Sequence, residues 1–317
     1  MQDKLRIGLA LGSGSARGWS HIGVIRALEE AGIVPDVIAG TSVGAVVGAV
    51  YAAGELDRFE TWIRGVTWQK VVGMLDLRMG GGLIEGSRLV DFFRARFDDP
   101  GIEHLPRTFA CVATDLANGR EVWLRDGPVI DAVRASIALP GLFTPAWLDG
   151  RLLVDGGLVN PVPVSLCRAL GADFVIAVDL NWNLVTRRSH VQGEIRPDQR
   201  EALEAAVEAA QPAPQRGLLE GVLARFVPAG WRNGASSARV AGALPSMLDV
   251  LTSSLNIMQV RITESRLAGE PADAMIRPRL ADVTAMDYHR AAYSIAEGRR
   301  AAGQALSQIH EQLAACR

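Results

Sequence analysis

With only three cysteines in 317 residues, the chain has little with which to build a covalent framework. Cys111, Cys167 and Cys316 lie far apart and are odd in number. Neither a disulfide scaffold nor a CxxC metal pair can be assembled from them, so a reducing cytoplasm is the expected setting. An excess of charge of one sign is also missing. The formal net charge is −2, which provides no electrostatic footprint for nucleic acid. The opening stretch MQDKLRIGLALGSGS lacks the long apolar run of a secretory signal, and no internal repeat is visible. Histidine is scarce. None of His21, His104, His190, His289 and His310 falls at the end of an expected strand, where a Ser–His–Asp triad would need its base.

Apolar residues, by contrast, make up 49% of the chain, enough for a sizeable core. Residues 37–54, VIAGTSVGAVVGAVYAAG, carry no charge and reach the lower length limit of a membrane span. More than half of them are Gly, Ala, Ser or Thr, so a buried strand followed by a buried helix is the expected reading. Strands are predicted at 6–11, 36–40, 108–116, 119–127 and 173–180, with a hairpin over 146–157 turning at Asp149-Gly150. Helices are predicted at 20–32, 42–54 and 129–139, and most of 55–105 reads as helical. Strands alternating with helices predict an α/β fold whose mostly parallel sheet is covered on both faces. Residues 187–245, rich in Ala, Gly, Pro and Arg, read as an insertion. Within it, 216–233 has the apolar face, flanking arginines and Trp231 of an interfacial helix, or of a helix packed on the core or on a second subunit. Helical pattern returns from 246, with one strand-like piece at 273–280.

The chemistry begins at GTSVG, residues 40–44. In strand–turn–helix context, G-x-S-x-G is the nucleophile-elbow pattern. Gly40 and Gly44 remove side chains that would collide with a serine held in a strained turn. The helix that follows aims free N–H groups at developing negative charge beside Ser42. Upstream, GSGSARG (12–18) forms a second glycine-rich turn. It reads as a dinucleotide fingerprint with Asp36 as ribose acid, although Arg17 stands where that pattern wants glycine. It also reads as an oxyanion hole built from the amides of Gly14 and Ser15 with Arg17 nearby, or as a plain tight turn. For the base, a triad through Asp179 and His289 fits the chain order poorly. The stretch VDGGLVNPVPV places Asp155 at a strand end, before Gly156 and Gly157. Those glycines let the turn press against another backbone, so the carboxylate could serve as general base; the same pair also reads as an ordinary Asp-Gly turn.

GSGSARG, GTSVG and DGG, in that order and spacing, resemble the patatin-like phospholipase family. Within it the similarity is greatest to the small bacterial RssA-like subgroup related to neuropathy target esterase. ALGSGSARGWSHIGVIRALEE, RASIALPGLFTP and IRPRL extend the likeness over nearly the whole chain. The resemblance implies a three-layer α/β/α sandwich of the patatin type. Residues 5–170 would form the catalytic core and 171–317 would complete the same fold. It implies a Ser–Asp dyad without histidine, in which Ser42 is the nucleophile and Asp155 the base. Gly14 and Ser15 would be oxyanion donors beside Arg17. No metal or organic cofactor is implied. Phospholipids, lysophospholipids or other acyl esters are the implied substrates, met in the cytoplasm or peripherally at the inner membrane surface. The first loop departs from the family pattern, with Ser13 and Ser15 in place of two glycines. A regulatory or scaffolding protein with a vestigial dyad is the alternative.

Overall fold

The computed structural model describes residues 4–66, 86–95, 99–184 and 247–316. The expected insertion at 187–245, its candidate interfacial helix at 216–233, and residues 67–85 of the helical segment lie outside the described residues. The chain divides into two units, residues 1–185 with 254–317, and residues 186–253. Of the second, only 247–253, the first turns of a helix, are described. The account that follows concerns the first unit.

Alternation of large and small apolar residues builds the centre of the molecule. Strand β1 (Ile7–Leu11), β2 (Val37–Thr41), β3 (Thr108–Asp115) and β7 (Phe174–Val178) are almost wholly buried. Leu9, Leu11, Ile38, Phe109 and Ile176 belong to one hydrophobic cluster. The residues between them, Ala10, Val37, Ala39, Ala110 and Val175, belong to another. Successive side chains of a strand point to opposite faces, so the sheet has a face of large residues and a face of small ones. Helices α1 (Ser20–Glu30) and α2 (Val43–Ala52) contribute Ile22, Ile25, Val46 and Val47 to the first cluster. So does the C-terminal helix α8 (Ala291–Ala315), through Ile295 and Ile309. Helix α6 (Val164–Ala169) contributes Val164, Leu166 and Cys167 to the second. Burial on both faces explains why these strands read as continuous apolar runs.

Among the described residues the sheet has eight strands. Pairings β3–β2, β2–β1, β1–β7 and β7–β8 (Ala274–Ile276) are parallel. Pairings of β3 with β4 (Glu121–Leu124), β3 with β6 (Arg151–Asp155) and β6 with β5 (Ala146–Leu148) are antiparallel. This is a mixed, mostly parallel sheet with helices on both faces. The uncharged run 37–54 divides into β2 and α2, and among the described residues no helix is long and apolar enough to cross a membrane.

One feature of the register positions the site. Val112 of β3 pairs with Thr41 on one edge and Trp123 on the other, while the next residue, Ala113, pairs with Asp155 and Val122. Strands β2 and β6 therefore meet β3 along the same edge, end to end. The residue that follows β2 and the last residue of β6 are brought together by this arrangement.

Candidate active site

Ser42 is the single residue between β2 and α2, and its backbone adopts φ 57°, ψ −123°. A non-glycine residue held there costs of order 1–3 kcal/mol and persists only where its surroundings over-determine it. Three contacts do so. The Ser42 amide donates to Ser136 Oγ at 2.9 Å, and Ser136 Oγ donates onward to the Val112 carbonyl at 2.7 Å. Next to it, Thr41 Oγ1 donates to the Asn160 carbonyl at 2.8 Å. Gly40 pairs with Leu11 and Cys111, and its pairing with Leu11 is the last between β2 and β1. Gly44 sits so close to β1 that a Cβ there would lie 2.1 Å from the Leu11 carbonyl oxygen. No side chain fits, and this approach carries the start of α2 over the sheet end.

The Ser42 hydroxyl donates to Asp155 Oδ2 at 2.6 Å. Asp155 is fully buried, and its other oxygen accepts the Gly157 amide at 2.7 Å. Its carbonyl accepts Thr114 Oγ1 at 2.8 Å, which ties the end of β6 to β3. A Cβ on Gly156 would stand 2.2 Å from the Val112 carbonyl oxygen, so the turn after Asp155 lies directly on β3. Burial pushes the Asp155 carboxyl up to about 6, with the hydrogen bonds from Ser42 and Gly157 opposing the rise. A carboxylate in that range is a stronger base than one in water yet stays mostly ionised at neutral pH.

The first glycine-rich turn lies alongside, after β1. Ser15 also has positive φ, 50°, and opens a short 3-10 turn, Ser15–Trp19. The Gly14 carbonyl accepts both the Arg17 amide, at 3.2 Å, and Arg17 Nε, at 3.1 Å. In a trans peptide the carbonyl and the next N–H point opposite ways, so Arg17 turns the Ser15 amide away from itself. The amides of Gly12, Ser13, Ala16 and Arg17 bond to backbone carbonyls. Among the described residues no such acceptor is found for those of Gly14 and Ser15. Arg17 is buried, so it acts on this loop through the Gly14 carbonyl.

Ser13, one of the two serines that replace glycine, is an anchor. Its hydroxyl donates to Gln259 Oε1 at 3.0 Å and accepts Asn181 Nδ2 at 3.2 Å, all three side chains being buried. His21 is buried beneath the loop, with Nε2 2.8 Å from the Gly12 carbonyl. Burial lowers its ring to about 4, so it is a neutral imidazole donating from Nε2.

The alternatives from the sequence fare differently. Asp36, the ribose acid of a nucleotide reading, bonds the Ile7 amide at the start of β1, the end of the strand opposite to GSGSARG. The Asp179 carboxylate accepts the Asn181 amide at 2.9 Å, and His289 is exposed. The residues that hold Ser42 in place, Ser136, Thr41 and Asn160, were not singled out by sequence reasoning. Ser136 and Asn160 lie inside RASIALPG and DGGLVNP, where the only signal was a small polar residue in an otherwise apolar motif.

Ser42 and Ser15 open onto one cavity, with about 940 Å³ of empty space, mouth included. Val43, Val46, Leu142 and Tyr288 are among its walls. Residues 9–168 match the patatin-like phospholipase family. The chain belongs to that family. An uncharacterised NTE family protein of Mycobacterium bovis is 36% identical over 328 residues, covering 95% of this chain and 91% of the relative. Patatin-like phospholipase domain-containing protein 6 of Homo sapiens is 39% identical over 182 residues, covering 55% of this chain and 13% of that protein. Among solved structures, VipD from Legionella pneumophila aligns with a TM-score of 0.45 at 14% identity, over 96% of this chain and 67% of that one. Membership supports lipid acyl hydrolysis as the general chemistry and lipids as the substrates.

Proposed function

We propose that this protein is a serine acyl-ester hydrolase in which Ser42 attacks the ester carbonyl and Asp155 is its general base. The observation that carries the reading is the 2.6 Å hydrogen bond from Ser42 Oγ to the buried Asp155 carboxylate. As Oγ bonds to the carbonyl carbon, its proton passes to Asp155 Oδ2. The carbonyl oxygen becomes an oxyanion facing the Ser15 amide, with the Gly14 amide beside it. Preorganised donors of this kind, in a site that excludes water, stabilise the transition state without reorganising. The first amides of α2 add the positive end of a helix dipole. Collapse of the tetrahedral intermediate breaks the C–O bond, and the proton held by Asp155 goes to the leaving alcohol. A water then gives its proton to Asp155 and attacks the acyl-serine. The fatty acid leaves, and the proton returns to Ser42. Histidine has no part in this cycle.

The apolar walls around Ser42 support a lipid acyl ester over a charged or sugar ester. Phospholipids and lysophospholipids are the proposed substrates, reached by peripheral contact with a lipid surface.

The test is labelling by a fluorophosphonate probe read by intact mass, alongside hydrolysis of p-nitrophenyl butyrate. One probe should add to the parent protein and none to Ser42→Ala, with hydrolysis lost in parallel. Equal labelling of both would overturn the assignment. Absence of labelling and hydrolysis in the parent would favour a scaffolding protein with a vestigial dyad.

A further inference from the structure

A second apolar cavity, with about 900 Å³ of empty space, mouth included, adjoins the one that holds Ser42. Val46, Phe93 and Ile137 line both cavities. The two also share a floor. Ser42, Val43 and Val46 line the first, and Val46, Ala49, Val50 and Ala53 line the second. These positions recur at three- and four-residue spacing, which is one face of a helix. The floor of both cavities is therefore a single ridge of α2, running outward from Ser42. By the rise of a helix, residues 42 to 53 span about 16 Å. That is close to the roughly 15 Å depth of one leaflet, half of a ~30 Å hydrocarbon core.

The geometry points to the following inference: the two cavities act in series as one acyl channel, so that the protein selects esters of a single long, extended acyl chain. This rests on the reading of Ser42 as nucleophile and adds the substrate class. A shared floor on one helix face puts the cavities one behind the other rather than side by side. The far cavity is walled by Val129, Val133, Leu105 and Val90, with Glu55 and Arg134 as the charged residues among its described walls. Glu55 is partly exposed and lies 3.6 Å from Arg58, which marks the wet end of the channel. Arg134 Nη2 donates to the Thr144 carbonyl and hydroxyl, at 2.9 and 3.1 Å. The apolar walls suit methylenes rather than a phosphate headgroup. The wall the two cavities share is braced, since Phe93 stacks on Phe59 at 6.5 Å and meets the edge of Trp62 at 6.0 Å. A chain that ends short of Val46 gains nothing from the second cavity. A longer one buries each further methylene there.

Two measurements test this. In the first, kcat/KM is measured for p-nitrophenyl palmitate and butyrate on the parent protein, Ala49→Phe and Val133→Phe. Each added ring projects into the second cavity, and the palmitate-to-butyrate ratio cancels any general loss. The ratio should fall about tenfold or more, because several methylenes lose their buried place. The second needs no substitution. Labelling rates of the parent protein by alkyl fluorophosphonates from hexyl to hexadecyl should keep rising beyond octyl. A rate that levels off at octyl would overturn the inference, as would an unchanged ratio in folded variants. A parent protein that is neither labelled nor able to hydrolyse butyrate would overturn the Ser42 reading beneath it.

Discussion

Two serines follow neighbouring parallel strands of this sheet, each in a glycine-rich turn and each with positive φ: Ser15 at 50° after β1 and Ser42 at 57° after β2. Their local sequences are close cousins, yet their atoms are used in opposite ways. At Ser42 the amide is tied to Ser136 Oγ and the hydroxyl faces a buried carboxylate. At Ser15 the amide is turned outward by Arg17's hold on the preceding carbonyl. The difference comes from what the sheet brings to each turn. Strand β2 ends where β6 ends, so Ser42 meets Asp155. A glycine–serine turn is therefore only a mounting, and the register of distant strands decides which partners its side chain and its backbone meet.

Deleting each hydroxyl tests that contrast most sharply. Ser42→Ala should lower kcat/KM for p-nitrophenyl butyrate by about 10⁴-fold or more, as loss of a nucleophile does. Asp155→Asn should follow, with a loss of about 10²–10⁴-fold in the same assay. It should also raise the melting temperature at pH 8, because it removes a buried charge. Burial pushes the Asp155 carboxyl up to about 6 in the folded protein, from an ordinary value of 3.8, so the folded state holds the extra proton between those values. Stability from this group is present below about pH 4 and is lost as pH rises through about 6. Above that, burial of the carboxylate costs about 3 kcal/mol, and equilibrium unfolding in urea should find the Asn variant about 1–3 kcal/mol more stable. Ser136→Ala leaves the strained Ser42 amide without its acceptor. It should cost about 1 kcal/mol in the same unfolding experiment and roughly tenfold in turnover. Ser15→Ala should change turnover by no more than about twofold, since the amide proposed as oxyanion donor is kept. A large loss from Ser15→Ala with little loss from Ser42→Ala would reverse the comparison.

Much of this architecture was legible in the sequence where the signal is local. The apolar runs of β1, β2 and β7 and the helices at Ser20, Val43 and Val129 are found where the periodicity puts them. The Asp149-Gly150 hairpin is present, with positive φ at both residues. Elsewhere the pattern overran the element. The strand-like piece at 273–280 pairs only over Ala274–Ile276, since Pro278 cannot donate to a ladder. Helix α6 was hidden because six residues behind Pro161 and Pro163 are too short to show a helical period. The partnership of Ser42 with Asp155 was suggested by family resemblance, and its cause was out of reach of sequence reasoning. It depends on two strands abutting along one edge of β3 at Val112 and Ala113, and no window of sequence contains both.

The claim at the centre of this account is that Ser42 is activated by Asp155 alone. The most direct measurement is the pH dependence of fluorophosphonate labelling of the parent protein, of Asp155→Asn and of His289→Ala. Labelling needs the ionised carboxylate, so the parent rate should fall in a single step as pH drops through about 6. His289→Ala should show the same step, and Asp155→Asn should be slow and flat. A parent rate that stays level through that range, or a step that disappears with His289 and survives in Asp155→Asn, would contradict the account.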